Sequence, residues 1–319
     1  MTLAATGIRR LELPLPFALR SVNVYVIEGD GLGIVDCGLH TQHGEQALVD
    51  GLAGFGFRAS DVRDVFVTHL HPDHIGMAGF LESAGARVHM HGPEAEAARR
   101  LWFSGRGLVD EAVEWFRRNG MPEAVLDGMA QAWIGAGQRV DRIVRIREVR
   151  DGATVALAGR RFRLLWTPGH TDYHAVLYDQ TERLLLAGDH VLPKITPNIG
   201  LYPASRDDPL ADFLGSLEKV AALGVRRALP AHGEPFDDLA GRVAEIVAHH
   251  RSRLAAVRNA LASGAKDGYA VARILFPSLR SPHEERFAHA ETLAHLRHLE
   301  RRCEVEREEG LPVRWRLRQ

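Results

Sequence analysis

The sequence predicts an α/β fold built in layers, interrupted by a helical insertion and closed by a winged helix, and three observations predict it. Short β-branched runs alternate with turns and one helical stretch over residues 8–90, and the same grammar returns over 140–230. Between them, residues 93–139 lose the strand pattern and mix Ala, Glu and Arg with Trp and Phe. Beyond about Ala240, three helical stretches precede a hairpin pattern. A chain of 319 residues, 45% hydrophobic and 25% charged, is long enough to bury one large core and a smaller one. We therefore expect a large domain over 1–240, with its insert at about 93–139, and a winged-helix-like domain over 241–319.

Each element has its own signal. Runs 22–27, 33–36, 65–68 and 87–90 are apolar and β-branched, with a helix expected at 41–55 between the second and third. In the insert, Gly120 and Pro122 break the helical pattern, so two or three helices are expected, carrying Trp102, Phe103, Trp115, Phe116 and Trp133. Strands are expected at 140–149, 154–158, 162–166, 175–179 and 184–187, then a helix at 209–223 and a strand at 227–230. The tail reads as helices at 240–263, 268–276 and 282–302, the second closed by Pro277, with strands at 304–308 and 313–317 around a Glu-Gly-Leu-Pro turn.

Composition narrows the function classes. No apolar stretch approaches the roughly 18–20 residues of a membrane span and no apolar run follows the first arginines, so no membrane association is expected and a cytoplasmic location is. Cys37 and Cys303 are the two cysteines, too few and too far apart in sequence for a disulfide framework or a thiolate-built cluster. Any metal would be held by His and carboxylates. Residues 241–319 carry 15 Lys and Arg against 10 Asp and Glu, and residues 1–240 carry 25 against 31. An excess of that size suits a solvated face better than a dedicated nucleic-acid stripe.

The densest chemistry is Thr68-His69-Leu70-His71-Pro72-Asp73-His74, directly after the apolar run Val65-Phe66-Val67. Three histidines and an aspartate within six residues place several N and O donors around one point at a strand exit. The arrangement recurs: Thr167-Pro168-Gly169-His170, Gly188-Asp189-His190 and Ala231-His232-Gly233 each follow an expected strand and contain glycine. Strand ends on one edge of a layered fold converge, so these donors can meet although they are distant in sequence.

This ordered series resembles the metallo-β-lactamase superfamily, whose signature is His-x-His-x-Asp-His followed by His, Asp and His, over about residues 8–240. The resemblance implies a four-layer αββα sandwich and two divalent metal ions, Zn²⁺ first, with Mn²⁺ or Fe²⁺ as alternatives. It implies that His69, His71 and His170 bind one ion, that Asp73, His74 and His232 bind the other, and that Asp189 bridges them. It places Asp36 behind the ligand loop as a supporting carboxylate. For His174 and His190, packing or an outer hydrogen bond is expected rather than ligation. The chemistry implied is hydrolysis by a metal-bridging hydroxide, with Asp73 as the catalytic residue that orients it.

Within that superfamily, Asp189 argues against antibiotic hydrolysis, and the string at 167–174 with the tail is similar to the glyoxalase II-like and lactamase-β-like branches. We expect a small-molecule acyl substrate, a thioester or other ester or lactone; the alternatives are a phosphodiesterase or endoribonuclease, a mono-iron persulfide-dioxygenase-like protein, or a non-catalytic metal binder. Nucleic acid is not the favoured partner despite Arg314, Arg316 and Arg318, and a homodimer is possible. Substrate contacts are expected from Lys194, Tyr202 and Arg206 on the loop after Asp189 and from Trp102 and Trp115 of the insert, acting as an aromatic cap.

Overall fold

A computed structural model describes residues 6–16, 19–105 and 107–318. Two sheets lie at its centre. The first runs β1 (Ile8–Pro14), β2 (Ser21–Gly29), β3 (Gly31–Val35), β4 (Val62–Val67), β5 (Arg87–His91) and β6 (Ile146–Val149), in that spatial order. The second contains β7 (Thr154–Leu157), β8 (Arg160–Trp166), β9 (Ala175–Asp179), β10 (Leu184–Gly188) and β11 (Arg227–Pro230), ordered β11-β10-β9-β8-β7.

Period-2 alternation explains the stacking. Tyr25, Ile27, Val35 and Phe66 of the first sheet pack against Phe162, Leu164, Leu177, Leu184, Leu186 and Leu229 of the second. The intervening Val22, Val24, Val26, Val65 and Val67 point the other way, towards α1 (Gln42–Gly54), α3 (Ala78–Ser83) and α4 (Gly92–Ala98). On the far side, Leu165, Val176, Leu185 and Ala228 pack under α5 (Gly107–Arg118), α6 (Glu123–Gly137), α7 (Pro209–Ala221) and the C-terminal helices. The result is the expected αββα sandwich. Strands covered on both faces read as continuous apolar runs, which is why they stand out in the sequence.

The C-terminal segment holds α8 (Leu239–Leu261), α9 (Gly268–Leu275) and α10 (Pro282–Arg301), with β12 (Lys266–Asp267), β13 (Val305–Glu308) and β14 (Arg314–Leu317) in a small sheet ordered β12-β14-β13. Its helices begin where side chains satisfy free backbone N–H groups: Asp238 accepts from Gly241, Asp267 from Ala270 and Ser281 from Glu284.

Three local expectations change. The strand expected over 140–149 is confined to Ile146–Val149, and β1 and the short α2 (Pro72–Ile75) lie where no element was specified. The insert is not one free-standing cap. A π-type turn at Arg99–Phe103 carries Trp102 and Phe103 against the first-sheet core, whereas Phe116 is fully buried in the core shared with the C-terminal helices. Aromatic residues of one helical stretch were drawn into two different cores, a partition that composition cannot reveal.

Candidate metal centre

The four motif segments meet at one edge of the sandwich. His69 and His71 follow β4, His170 follows β8, Asp189 follows β10 and His232 follows β11, while Asp73 and His74 lie on α2. Two glycines permit the close approach. Gly188 has φ +50°, and a Cβ there would lie 2.7 Å from Nε2 of His174 and 2.9 Å from Oγ1 of Thr68. At Gly169, φ is +133° and a Cβ would sit 2.4 Å from Cβ of Phe213.

The donors fall into sets that could each hold a metal ion: His69, His71 and His170 in one, and Asp73, His74 and His232 in another, with His69, His74 and Asp189 forming a third overlapping group. Nδ1 of His71 is 3.0 Å from Nε2 of His69 and 2.9 Å from Nε2 of His170. Oδ2 of Asp189 is 3.4 Å from Nε2 of His170, and its Oδ1 is 3.4 Å from Nε2 of His232 and 3.6 Å from Nε2 of His74. One carboxylate therefore faces both sets. Oδ2 of Asp73 lies 3.4 Å from Nε2 of His232.

Hydrogen bonds behind the rings show that this donor set fits divalent ions. Nδ1–H of His170 donates to the carbonyl of Asn198 at 2.9 Å, and Nδ1–H of His232 to the carbonyl of Ser21 at 2.7 Å. His74 donates through Nδ1 to Oδ2 of Asp36 at 2.9 Å. The Thr68 hydroxyl donates to Asp36 and receives Nδ1–H of His69 at 3.0 Å. With Nδ1 protonated in each of these four rings, every Nε2 presents a bare lone pair to the centre. Consistently, Nε2 of His74, Nε2 of His232 and Oδ1 of Asp189 are buried with no hydrogen-bond partner. Bound cations would satisfy such atoms, and in their absence protons on His74 and His232 take that place beside Asp73 and Asp189.

Asp36 lies directly behind the ligand loop. It is 2% exposed with φ +59°, and it accepts from the backbone N–H of Thr68 at 2.8 Å as well as from Thr68 and His74 side chains. His174 is a support too: its Nδ1 faces Oγ1 of Thr167 at 3.0 Å and its Nε2 accepts the backbone N–H of Asp189 at 3.3 Å. His190 is buried edge-on to Phe213, and burial pushes its imidazole down to about 3, so it stays neutral.

Electrostatics divides the two donor sets. Burial and the neighbouring imidazoles hold His69 and His71 well below the ordinary histidine range. Burial also lowers His232 and His74, but Asp189 and Asp73 outweigh it, raising His232 to about 9 and His74 well above its ordinary value. Burial raises Asp73, yet His74 and His232 more than reverse this and hold the carboxyl at about 2.

Glu94 belongs to the site and was not anticipated. Fully buried on α4, it accepts from the backbone N–H of Leu70 at 2.8 Å and from the Thr171 hydroxyl at 2.9 Å, tying the loop of His69 and His71 to that of His170. Burial pushes its carboxyl up to about 7. An isolated Glu in a helical stretch carries no motif; its distance of 24 residues from Leu70 hides the contact.

The expected substrate residues are dispersed. Trp102 braces the ligand loop by donating Nε1–H to the carbonyl of Leu70 at 2.7 Å. Trp115 lines a separate cavity of about 210 Å³ with Leu293 and Trp315. Arg206 is engaged by Asp212 at 2.5 Å and lies over the Trp166 ring, and Lys194 is exposed. Tyr202 is different: it meets Trp133 edge-on at 5.9 Å between ring centres and accepts from Arg286 at 3.1 Å. Arg286 of α10 also lies over the rings of Trp133 and Phe287.

Known proteins share this architecture. The family model for the metallo-beta-lactamase superfamily matches residues 18–232, and one for the metallo-beta-lactamase-like C-terminal domain matches residues 254–319. A probable metallo-hydrolase of Bacillus subtilis, YqjP, is 27% identical over 300 residues, 91% of each chain. The crystal structure of a metallo-beta-lactamase family protein from Thermus thermophilus is 38% identical with a TM-score of 0.89, covering 98% of this chain and 99% of that one. A beta-lactamase domain protein from Burkholderia ambifaria is 29% identical with a TM-score of 0.86, over 98% and 92% of the two chains. With the family model spanning β2 to β11 and every ligand loop described above, the chain belongs to the metallo-β-lactamase superfamily.

Proposed function

We propose that the protein is a binuclear metal-dependent hydrolase of acyl compounds, a thioester or another ester or lactone. The observation that carries the binuclear reading is Asp189, whose two oxygens face different donor sets. When bound, a pair of divalent ions, Zn²⁺ in this reading, acidifies a water and polarises the substrate oxygen. The chain's own residues do the rest. Asp73, whose Oδ2 faces the centre 3.4 Å from Nε2 of His232, would accept a hydrogen bond from the attacking water and orient it. Asp36, Thr68, His174 and Glu94 hold the ligand side chains and loops so that little reorganisation accompanies reaction.

Trp133, Tyr202 and Phe287, gathered around Arg286, support an acyl substrate by offering an aromatic wall with a cation at its centre. A nucleic-acid substrate draws less support. Arg316 is paired with Glu306 and Glu308 at 2.6 and 2.9 Å, which removes the middle member of the row Arg314, Arg316 and Arg318 that runs along β14 and one residue past it. In this reading the winged-helix-like tail is a packing module. The test is turnover of zinc-loaded protein on aliphatic thioesters, lactones, bis-p-nitrophenyl phosphate and a short RNA. Acyl hydrolysis abolished in the Asp189→Ala protein is expected; cleavage of the phosphodiesters alone would overturn the acyl assignment, and thiol oxidation with one iron per chain would overturn hydrolysis.

A further inference from the structure

The bond that aims His170 leads out of the large domain. The carbonyl accepting its Nδ1–H belongs to Asn198, in the irregular segment between β10 and α7, which has no regular structure to hold it. The Asn198 side chain crosses to α10. Its Nδ2 donates to Oε2 of Glu291 at 3.1 Å and to the carbonyl of Phe287 at 3.2 Å, four residues apart on one helix face. Nearby, the backbone N–H of Leu201 donates to the carbonyl of Ala290 at 3.0 Å, and a Cβ at Gly200 would approach that of Ala290 to 3.1 Å. The loop is thus seated on α10.

Glu291 is an expensive choice for such a seat. Its side chain is 13% exposed, and its one cationic neighbour among the described residues is Arg253 of α8, with Nε 3.7 Å from Oε1. A buried carboxylate is tolerated where its oxygens are used, and an apolar residue would pack the two helices at least as well. Here one oxygen serves the loop and the other faces Arg253.

We propose that Glu291 is a positioning residue for the metal centre: through Asn198, the C-terminal domain fixes the carbonyl that sets the tautomer and direction of His170. This rests on the reading of His170 as a metal ligand. Orienting partners of metal-bound histidines typically contribute about 10–100-fold to metal affinity. Removing Glu291 therefore weakens the ion held with His69 and His71 and spares the ion held with Asp73 and His232.

The test uses the full chain, stripped by chelator, with Zn²⁺ affinities from competition with a chromophoric chelator and Co²⁺ absorption as a spectroscopic reporter. Glu291→Leu and Asn198→Ala, which leave the carbonyl in place but free it to move, should each weaken one ion by roughly tenfold, the low end of the range for a direct partner, and leave the other within about threefold, with an altered Co²⁺ spectrum. Glu291→Gln, which can still accept from Asn198, should restore near-wild-type binding, and the Asn198→Ala/Glu291→Leu pair should be no worse than its worse member. Wild-type affinity for both ions in Glu291→Leu, equal weakening of both, or a Gln variant as impaired as Leu would overturn the proposal. If Glu291→Leu does not fold, Asn198→Ala alone carries the same expectation and the same refutation. A His170→Ala protein that binds both ions like wild type would instead refute the ligand assignment beneath it.

Discussion

Stripping the metals should leave a protein that loses stability as pH rises from 7.5 to 8.5. His232, raised to about 9 in the fold, and His74, raised well above its ordinary value, retain protons there that an unfolded chain with ordinary histidines has released. A raised folded value contributes stability that is complete below about pH 6.5 and disappears as pH climbs through the folded value. Each retained proton gives a slope of about −1.4 kcal/mol per pH unit, so His232 gives roughly −1 kcal/mol over this window and His74 adds to it in the same direction. Buried Cys37, held well above the ordinary thiol range, and Glu94, pushed up to about 7, add slopes of the same sign with or without metal, so the comparison of the two forms carries the test. The lowered imidazoles of His69, His71 and His174 are neutral in both states, and the carboxylates of Asp73 and Asp189 are ionised in both. His40, held up by Glu45 and Asp141 against partial burial, adds a smaller slope of the same sign. Metal discriminates between them: ions at Nε2 of His74 and His232 displace those protons and leave His40 untouched. Urea unfolding at pH 7.5, 8.0 and 8.5, with chelator or with zinc, should show the steeper decline in the chelated protein. Stability that is flat or rising without metal, or equal slopes in both forms, would refute the electrostatic reading of the site.

Three further outcomes are expected. Asp73→Asn should lower kcat by about 10²-fold or more while the fold is retained, since a neutral amide orients the attacking water less firmly than a carboxylate does; unchanged kcat moves that role elsewhere. Trp133→Ala should raise KM for long-chain thioesters over short ones, whereas Trp102→Ala should act on both alike by releasing the Leu70 carbonyl; the reverse pattern would restore the sequence-based cap. Fluorescence anisotropy with duplex DNA should show no salt-sensitive binding that depends on Arg314, Arg316 and Arg318, and a steep salt dependence lost in the triple Ala variant would make the tail a nucleic-acid surface.

The layered fold was legible because strands buried on both faces leave apolar runs, and because each ligand candidate follows one of those runs: His69 after Val67, His170 after Trp166, His232 after Pro230. Asp36 was legible for a similar reason, standing at the end of β3. Glu94 was not, since its importance lies in two hydrogen bonds to loops 24 and 77 residues away. Nor were Glu291 and Arg286, which come from the C-terminal domain and reach the site region only through tertiary packing of α10. The aromatics of the insert show the limit of composition: Phe116, Trp102 and Trp133 occupy three different environments, and helical spacing alone does not say which face meets which core.

The claim most exposed to a single measurement is that Asp189 joins two metal sites. Elemental analysis of protein saturated with Zn²⁺ and freed of excess by gel filtration should give about two ions per chain, falling towards one in Asp189→Ala with the fold preserved by circular dichroism. One ion per chain in the wild type, unaffected by Asp189→Ala, would contradict the binuclear account.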